Sequence, residues 1–183
     1  MLYPVPAVLV TSKHENRINV LTVSWAGTVC TDPPMLSISL RPERYSYELI
    51  RKSGEFIVNL PGENLAYAVD FCGVKSGREL NKFEKCNLHT EQASKVKAPV
   101  IKECPVGIEV RVDSVKELGS HHMFIGRVLA VNVDRSLIDR NKRLRLDKAG
   151  LLCYNHGHYC SVSKSLGRFG FSVKRKTRSR KTS

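Results

Sequence analysis

Several common features are missing from this chain of 183 residues. No apolar run approaches the ~20 residues that a membrane helix needs, which excludes a helical membrane protein. Met1-Leu2-Tyr3-Pro4 lacks the basic region and apolar core of a signal peptide. The six cysteines, at 30, 72, 86, 104, 153 and 160, form no Cys-x-x-Cys pair. They read as reduced thiols of a cytoplasmic protein rather than as a disulfide framework. No Gly-x-Gly-x-x-Gly is present, so an independent Rossmann dinucleotide site is not expected. Acids are scarce, with 17 Asp and Glu against 30 Lys and Arg, giving a formal charge of +13.

That charge is unevenly placed. Lys174 to Ser183 carries six cations and no acid, and without it 24 cations face 17 acids. The segment has no aromatic residue and a simple Lys/Arg/Ser/Thr content, so it reads as a disordered basic tail with no specific nucleic-acid code. A nucleic-acid-binding barrel stays open as a reading of another class, with little to require it. The basic body would attract anionic ligands: nicotinamide dinucleotides, flavin mononucleotide (FMN), ferric chelates or nucleic acid. At this length, and with 42% hydrophobic residues, one well-buried domain over 1–173 is expected.

Alternating patterns predict strands over 6–12, 19–25, 35–41 and 55–60, with a helix over 44–53 stopped by Gly54. Residues 63–85 predict two short helices around a loop, with glycine breaks at Gly73 and Gly77. Long strands follow over 106–117 and 122–134, joined by a hairpin at Gly119-Ser120. Residues 135–150 read as a polar surface excursion, and Leu151–Tyr154 with Tyr159–Val162 as a final ribbon. Many strands with short gaps favour a mainly β fold, an antiparallel barrel with peripheral helices.

The most informative stretch runs from Asn19 to Pro34. A strand leads into Ala26-Gly27-Thr28, where side chains shrink, and then into a hydroxyl-bearing turn and Pro33-Pro34. Small residues let backbone amides approach a flat or anionic ligand. Beyond the next strand, Arg41-Pro42-Glu43-Arg44-Tyr45-Ser46-Tyr47 gathers two guanidiniums, a hydroxyl and a phenol suited to a phosphate. In Ser76-Gly77-Arg78 with Lys82-Phe83, Gly77 permits close approach, Lys82 supplies a cation and Phe83 offers a ring face. His121 is a candidate proton donor or hydrogen-bond partner at a strand end, and His122 has the weaker claim. His156, His158 and Cys160 alternate along an extended segment, but Gly157 weakens that strand and no fourth ligand is evident. No metal is assigned to them. Cys30 and Cys72 are read as structural thiols.

These blocks, in order with Ser53–Leu60, His121–Val128 and Gly167–Ser172, resemble the flavin reductase-like family, the FMN-binding split barrels that include flavoredoxins and ferric reductases of anaerobes. The resemblance extends from Tyr3 to about Val173. It implies a homodimer with FMN near each subunit interface, reduced by NAD(P)H and passing electrons to a flavin, a ferric chelate or a protein. A flavoredoxin-type carrier, reduced by a partner protein, is the alternative. The resemblance also implies that Trp25, Ala26 and Thr28 line the isoalloxazine. Backbone amides of Ala26, Gly27, Thr28, Val29 and Cys30 would reach its N5 and O4 edge. Arg41, Arg44, Ser46 and Tyr47 would address the ribityl phosphate, with Ser76, Gly77, Lys82 and Phe83 alongside. Lys82 and His121 would be the catalytic groups, and His156 would approach the cofactor.

Overall fold

A computed structural model of the chain describes residues 2–162 and 164–173, so the basic segment 174–183 lies outside the described residues. The first half contains strands β1 (Val5–Pro6), β2 (Val8–His14), β3 (Arg17–Val23), β4 (Ala26–Thr31) and β5 (Pro34–Leu40), helix α1 (Tyr45–Ser53) and strand β6 (Glu55–Leu60). Two helices follow, α2 (Ala66–Val74) and α3 (Lys82–Lys85), then the short strands β7 (Thr90–Glu91) and β8 (Val100–Ile101). The long hairpin β9 (Val106–Glu117) and β10 (His122–Val133) precedes a final ribbon, β11 (Leu152–Asn155) and β12 (His158–Ser161).

Seven strands form one antiparallel sheet in the order β3-β2-β6-β9-β10-β5-β4. Its two edge strands, β3 and β4, are consecutive in the chain and separated only by Ser24-Trp25, yet no ladder joins them. The sheet therefore stays open between its own edges. Strand β4 occupies a stretch expected to pass from Ala26-Gly27-Thr28 into a turn. Ala26 pairs with Ile38, Gly27 with Ser37 and Thr28 with Leu36, so hydrogen bonding to β5 extends a stretch whose side chains give no alternation. A bulge falls between Thr28 and Cys30. Gly73 likewise lies within α2 instead of breaking it.

Alternation along β2 and β3 serves two cores. Val8, Val10, Leu21 and Val23 point into one cluster with Ile38, Phe56, Val110, Phe124 and Ile50 of α1. Leu9 and Val20 point into another with Val69 and Cys72 of α2, Phe83 of α3 and Leu152 of β11. Both faces of these strands are thus buried, and α2 is pinned against the outside of β3. Gly54 ends α1 in the left-handed region (φ 71°), its N–H donating to Ile50 O at 2.9 Å.

Glu109 on β9 is fully buried and anchors the loop over 94–96. Its carboxylate accepts hydrogen bonds from the backbone N–H of Ser94 (3.0 Å), Lys95 (2.6 Å) and Val96 (3.2 Å), and from Asn132 Nδ2 (2.8 Å). Burial raises the pKa of this group, but the bonds from Asn132, Ser94 and Lys95 outweigh it and leave the carboxyl below its ordinary value.

Candidate functional site

The opening between the sheet edges continues into a two-part groove. One part, of about 310 Å³, is lined by Asn19, Arg44, Ser46, Ser76, Gly77 and Lys82 among others. The other, of about 190 Å³, is lined by residues from Leu21 to Trp25, by Ser39, Leu40 and His121. Leu21, Arg41 and Arg44 line both parts, so the two form one elongated depression. Loops that are far apart in sequence meet here because β3 and β5, the start of α1, the turn after α2 and the start of β10 all end at the same opening.

The first part is rich in cations. Arg44 donates to Gly73 O of α2 at 3.1 Å, which leaves the rest of its guanidinium fork for other acceptors. Lys82 is 3% exposed, and its Nζ donates to Cys72 O at 3.1 Å and Lys75 O at 3.3 Å. Burial lowers its pKa to about 8, with the Arg44 charge adding to the effect and the Cys72 thiol opposing it. Among the described residues neither Arg44 nor Lys82 has a carboxylate within ion-pair distance. Two cations held together without an anion form a site that gains from a phosphate. Arg41 differs, because Glu43 meets it at 3.3 Å.

Behind these cations is a polar floor that the sequence alone does not reveal. Ser46 is fully buried; its Oγ accepts from Asn19 Nδ2 at 2.8 Å and from Ser12 Oγ at 3.3 Å. Asn19 therefore belongs to the site, and the signal for it is an amide preceding the apolar Val20 and Leu21 on β3. Gly77 packs so closely on Asn19 that a Cβ there would clash with its carboxamide.

The second part is aromatic. Trp25 is 42% exposed and lies 4.3 Å, centroid to centroid, from the His121 ring. His121 Nδ1 is 3.0 Å from Ser120 Oγ. Partial burial, then the Arg41 charge, lowers its pKa from the ordinary value, with Arg44 adding and Glu43 opposing. Its neutral form is thereby favoured near neutral pH. Trp25 is fixed through its carbonyl, which accepts from Ser39 N at 2.9 Å. Since pairing alternates along an antiparallel ladder, this bond turns the backbone groups of Ala26 and Thr28 toward the open edge of β4.

Several expected site residues lie elsewhere. Phe83 is 7% exposed and packs in the outer core, because α3 turns its apolar side toward β3; it offers no ring face to the groove. Tyr47 points to the other side of α1, its hydroxyl 2.8 Å from His122 Nδ1 and its ring edge-on to Phe124. Helical geometry sets this, since Ser46 and Tyr47 diverge by about 100° on adjacent positions. His156 sits in the β11–β12 turn against Tyr3, with ring centroids 5.6 Å apart. Ala26, Gly27, Thr28, Val29 and Cys30 lie on β4, an edge strand, and their side chains line neither part of the groove. Lys82 lines the cationic part, not the part with Trp25 and His121. Among the described residues, no cluster of His, Cys, Asp or Glu is arranged to hold a metal.

Residues 1–163 match the flavin reductase like domain. The chain belongs to the flavin reductase-like family. A protein of Archaeoglobus fulgidus is 38% identical over 130 residues, covering 71% of this chain and 73% of its own. Flavoredoxin of Desulfovibrio vulgaris (Miyazaki F) superposes with a TM-score of 0.88 at 28% identity, covering 95% of each chain. An FMN-binding protein from Thermus thermophilus, solved with bound 1-cyclohex-2-enone, gives 0.79 at 26% identity, covering 91% of this chain and 90% of its own. The open sheet is thus a split barrel, as its unpaired edges suggest. A flavin nucleotide fits the groove by the chemistry of its two ends: unpaired cations and amides for a phosphate, an exposed indole and a half-buried imidazole for a planar ring.

Proposed function

We propose that the chain binds FMN along this groove and works as an oxidoreductase that takes electrons from NAD(P)H. The observation that carries the reading is the continuity of a carboxylate-free cation pair, half-buried Arg44 and buried Lys82, with the Trp25–His121 end. Bound flavin supplies reversible two-electron chemistry, and the chain's residues hold, orient and tune it. Arg44, Lys82 and the N–H groups around Ser76 and Gly77 bind the phosphate. Asn19 and Ser46 keep that end rigid. Trp25 covers part of the ring, and the outward backbone groups of Ala26 and Thr28 lie beside its polar edge. His121, neutral near pH 7, holds or passes a proton at the ring end. Arg41 is placed to offset negative charge there, a role better suited to it than to Lys82, given which parts of the groove they line.

A homodimer is part of the proposal, supported by the exposed β4 edge with Val29 51% accessible. A cytoplasmic location is supported by six free cysteines, and among the described residues no helix is long and apolar enough to cross a membrane. The close likeness to flavoredoxin favours one second reading, a carrier whose flavin is reduced by a protein partner. Anaerobic addition of NADH or NADPH to the flavin-loaded protein separates the two. Bleaching within seconds supports the reductase; a flavin that only dithionite bleaches supports the carrier.

A further inference from the structure

Cys153 and Cys160 face each other as direct register partners across the β11–β12 ribbon. The register is doubly fixed. At one end the turn residues His156 (φ 44°) and Gly157 (φ 96°) both have positive φ, the signature of a two-residue hairpin turn whose twist matches the strands. At the other end Val162 N donates to Leu151 O at 2.9 Å. Counting inward from that bond, the alternation of an antiparallel ladder makes Cys153–Cys160 a hydrogen-bonded pair, with Cα atoms about 5.5 Å apart. That spacing falls within the usual range for a disulfide, whose Cα atoms lie most often about 5.5–6 Å apart. Opposed residues share a face, so both Sγ atoms project to the same side of the ribbon. Both thiols are free and half-buried, and β12 is the outer strand of the three-stranded sheet β1-β11-β12.

We infer that Cys153 and Cys160 form a dithiol that closes to a cross-strand disulfide when it meets a small-molecule disulfide. One thiolate attacks the oxidant's S–S bond, forming a mixed disulfide and releasing one small thiol. The second cysteine attacks the protein sulfur of that mixed disulfide and releases the other thiol. The two protein sulfurs are oxidised, the two sulfurs of the small disulfide are reduced, and both cysteine protons leave with the released thiols. The bond staples β11 to β12, and closing it draws the two strands slightly together, since opposed Cβ atoms of a hydrogen-bonded pair lie about 5.5 Å apart and a disulfide holds them about 3.5–4.5 Å apart. Tyr154 and Tyr159 of this ribbon pack on the core cluster that contains Cys72 of α2, so the staple rigidifies a segment that supports the groove from behind. The inference does not depend on flavin binding.

The full chain, incubated anaerobically with glutathione disulfide, then alkylated and digested, provides the test. The expected result is loss of two of the six alkylatable thiols and a single cross-linked peptide joining Cys153 to Cys160. Cys160→Ser, with a side chain of similar size, should stop at the mixed disulfide on Cys153. Cys30→Ser should behave as the parent chain does. Absence of the cross-linked peptide from the parent chain, a mixed disulfide that persists there, or unchanged thiol loss in Cys160→Ser would each overturn the proposal.

Discussion

Gly77 leaves no room for a side chain against Asn19: a Cβ at that position would lie 2.8 Å from the Asn19 Cγ and closer still to its Oδ1. Asn19 in turn donates to the buried Ser46 hydroxyl. Gly77→Ala should therefore displace the Asn19 amide and strip Ser46 of a partner. Losing a buried hydrogen bond costs about 1–3 kcal/mol. The expected outcome is FMN affinity weakened roughly tenfold or more by calorimetry, together with a lower Tm.

Lys82 links FMN affinity to pH. Its folded pKa of about 8 lies below the unfolded value, so the buried ammonium destabilises the empty protein below pH 8. That penalty is relieved as pH rises from the folded pKa toward the unfolded one near ~10.4. A phosphate beside Lys82 favours the charged form. FMN should thus bind with proton uptake near pH 8, and its affinity should fall above pH 8 by up to about tenfold per unit. Lys82→Met should flatten that dependence, while riboflavin, which lacks the phosphate, should show little of it in either protein.

Arg44→Ala should weaken FMN by about 1.5–3 kcal/mol, as expected for a hydrogen bond to a charged group, and riboflavin much less. Equal losses for the two ligands would place Arg44 away from the phosphate. Ser46→Ala should act differently. It leaves Asn19 Nδ2 and the Ser12 hydroxyl without their acceptor, so its main effect should be a lower Tm.

Outside the site, Glu109 should govern acid stability. Its folded pKa is depressed, so its contribution is present above the unfolded carboxyl value and is lost as pH falls through the folded one. Glu109→Gln keeps the shape but replaces one acceptor oxygen with a donor facing N–H groups. Denaturant titrations should show a loss of a few kcal/mol at pH 7, with each unsatisfied buried group costing about 1–3 kcal/mol. The gap between variant and parent should narrow below pH 4.

What was legible in the sequence follows from which forces act locally. The alternation in β2, β3, β9 and β10 and the Gly54 stop of α1 are local signals, and the elements appear within a residue or two of expectation. Strand β4 was not legible, because Ala26-Gly27-Thr28 has no side chains large enough to show a period and its order comes from the ladder to β5. Phe83 and Tyr47 sit in suggestive blocks, but which way they point is set by the helix that carries them and by what α1 and α3 pack on. The burial of Lys82 was equally hidden, since its carbonyl partners on Cys72 and Lys75 come from α2 and the turn after it. The pairing of Arg44 with Lys82 is a tertiary fact, whereas the clustering of Arg41, Arg44 and Ser46 was visible in the chain.

Trp25 is the chain's single tryptophan, so its emission reports on the groove alone. Titrating the flavin-free protein with FMN while following Trp25 fluorescence tests the central claim most directly. The account predicts saturable quenching at one FMN per chain with micromolar or tighter affinity, about 8 kcal/mol or more, and a shifted, structured flavin band near saturation. Linear, non-saturating quenching with an unchanged flavin spectrum would contradict it.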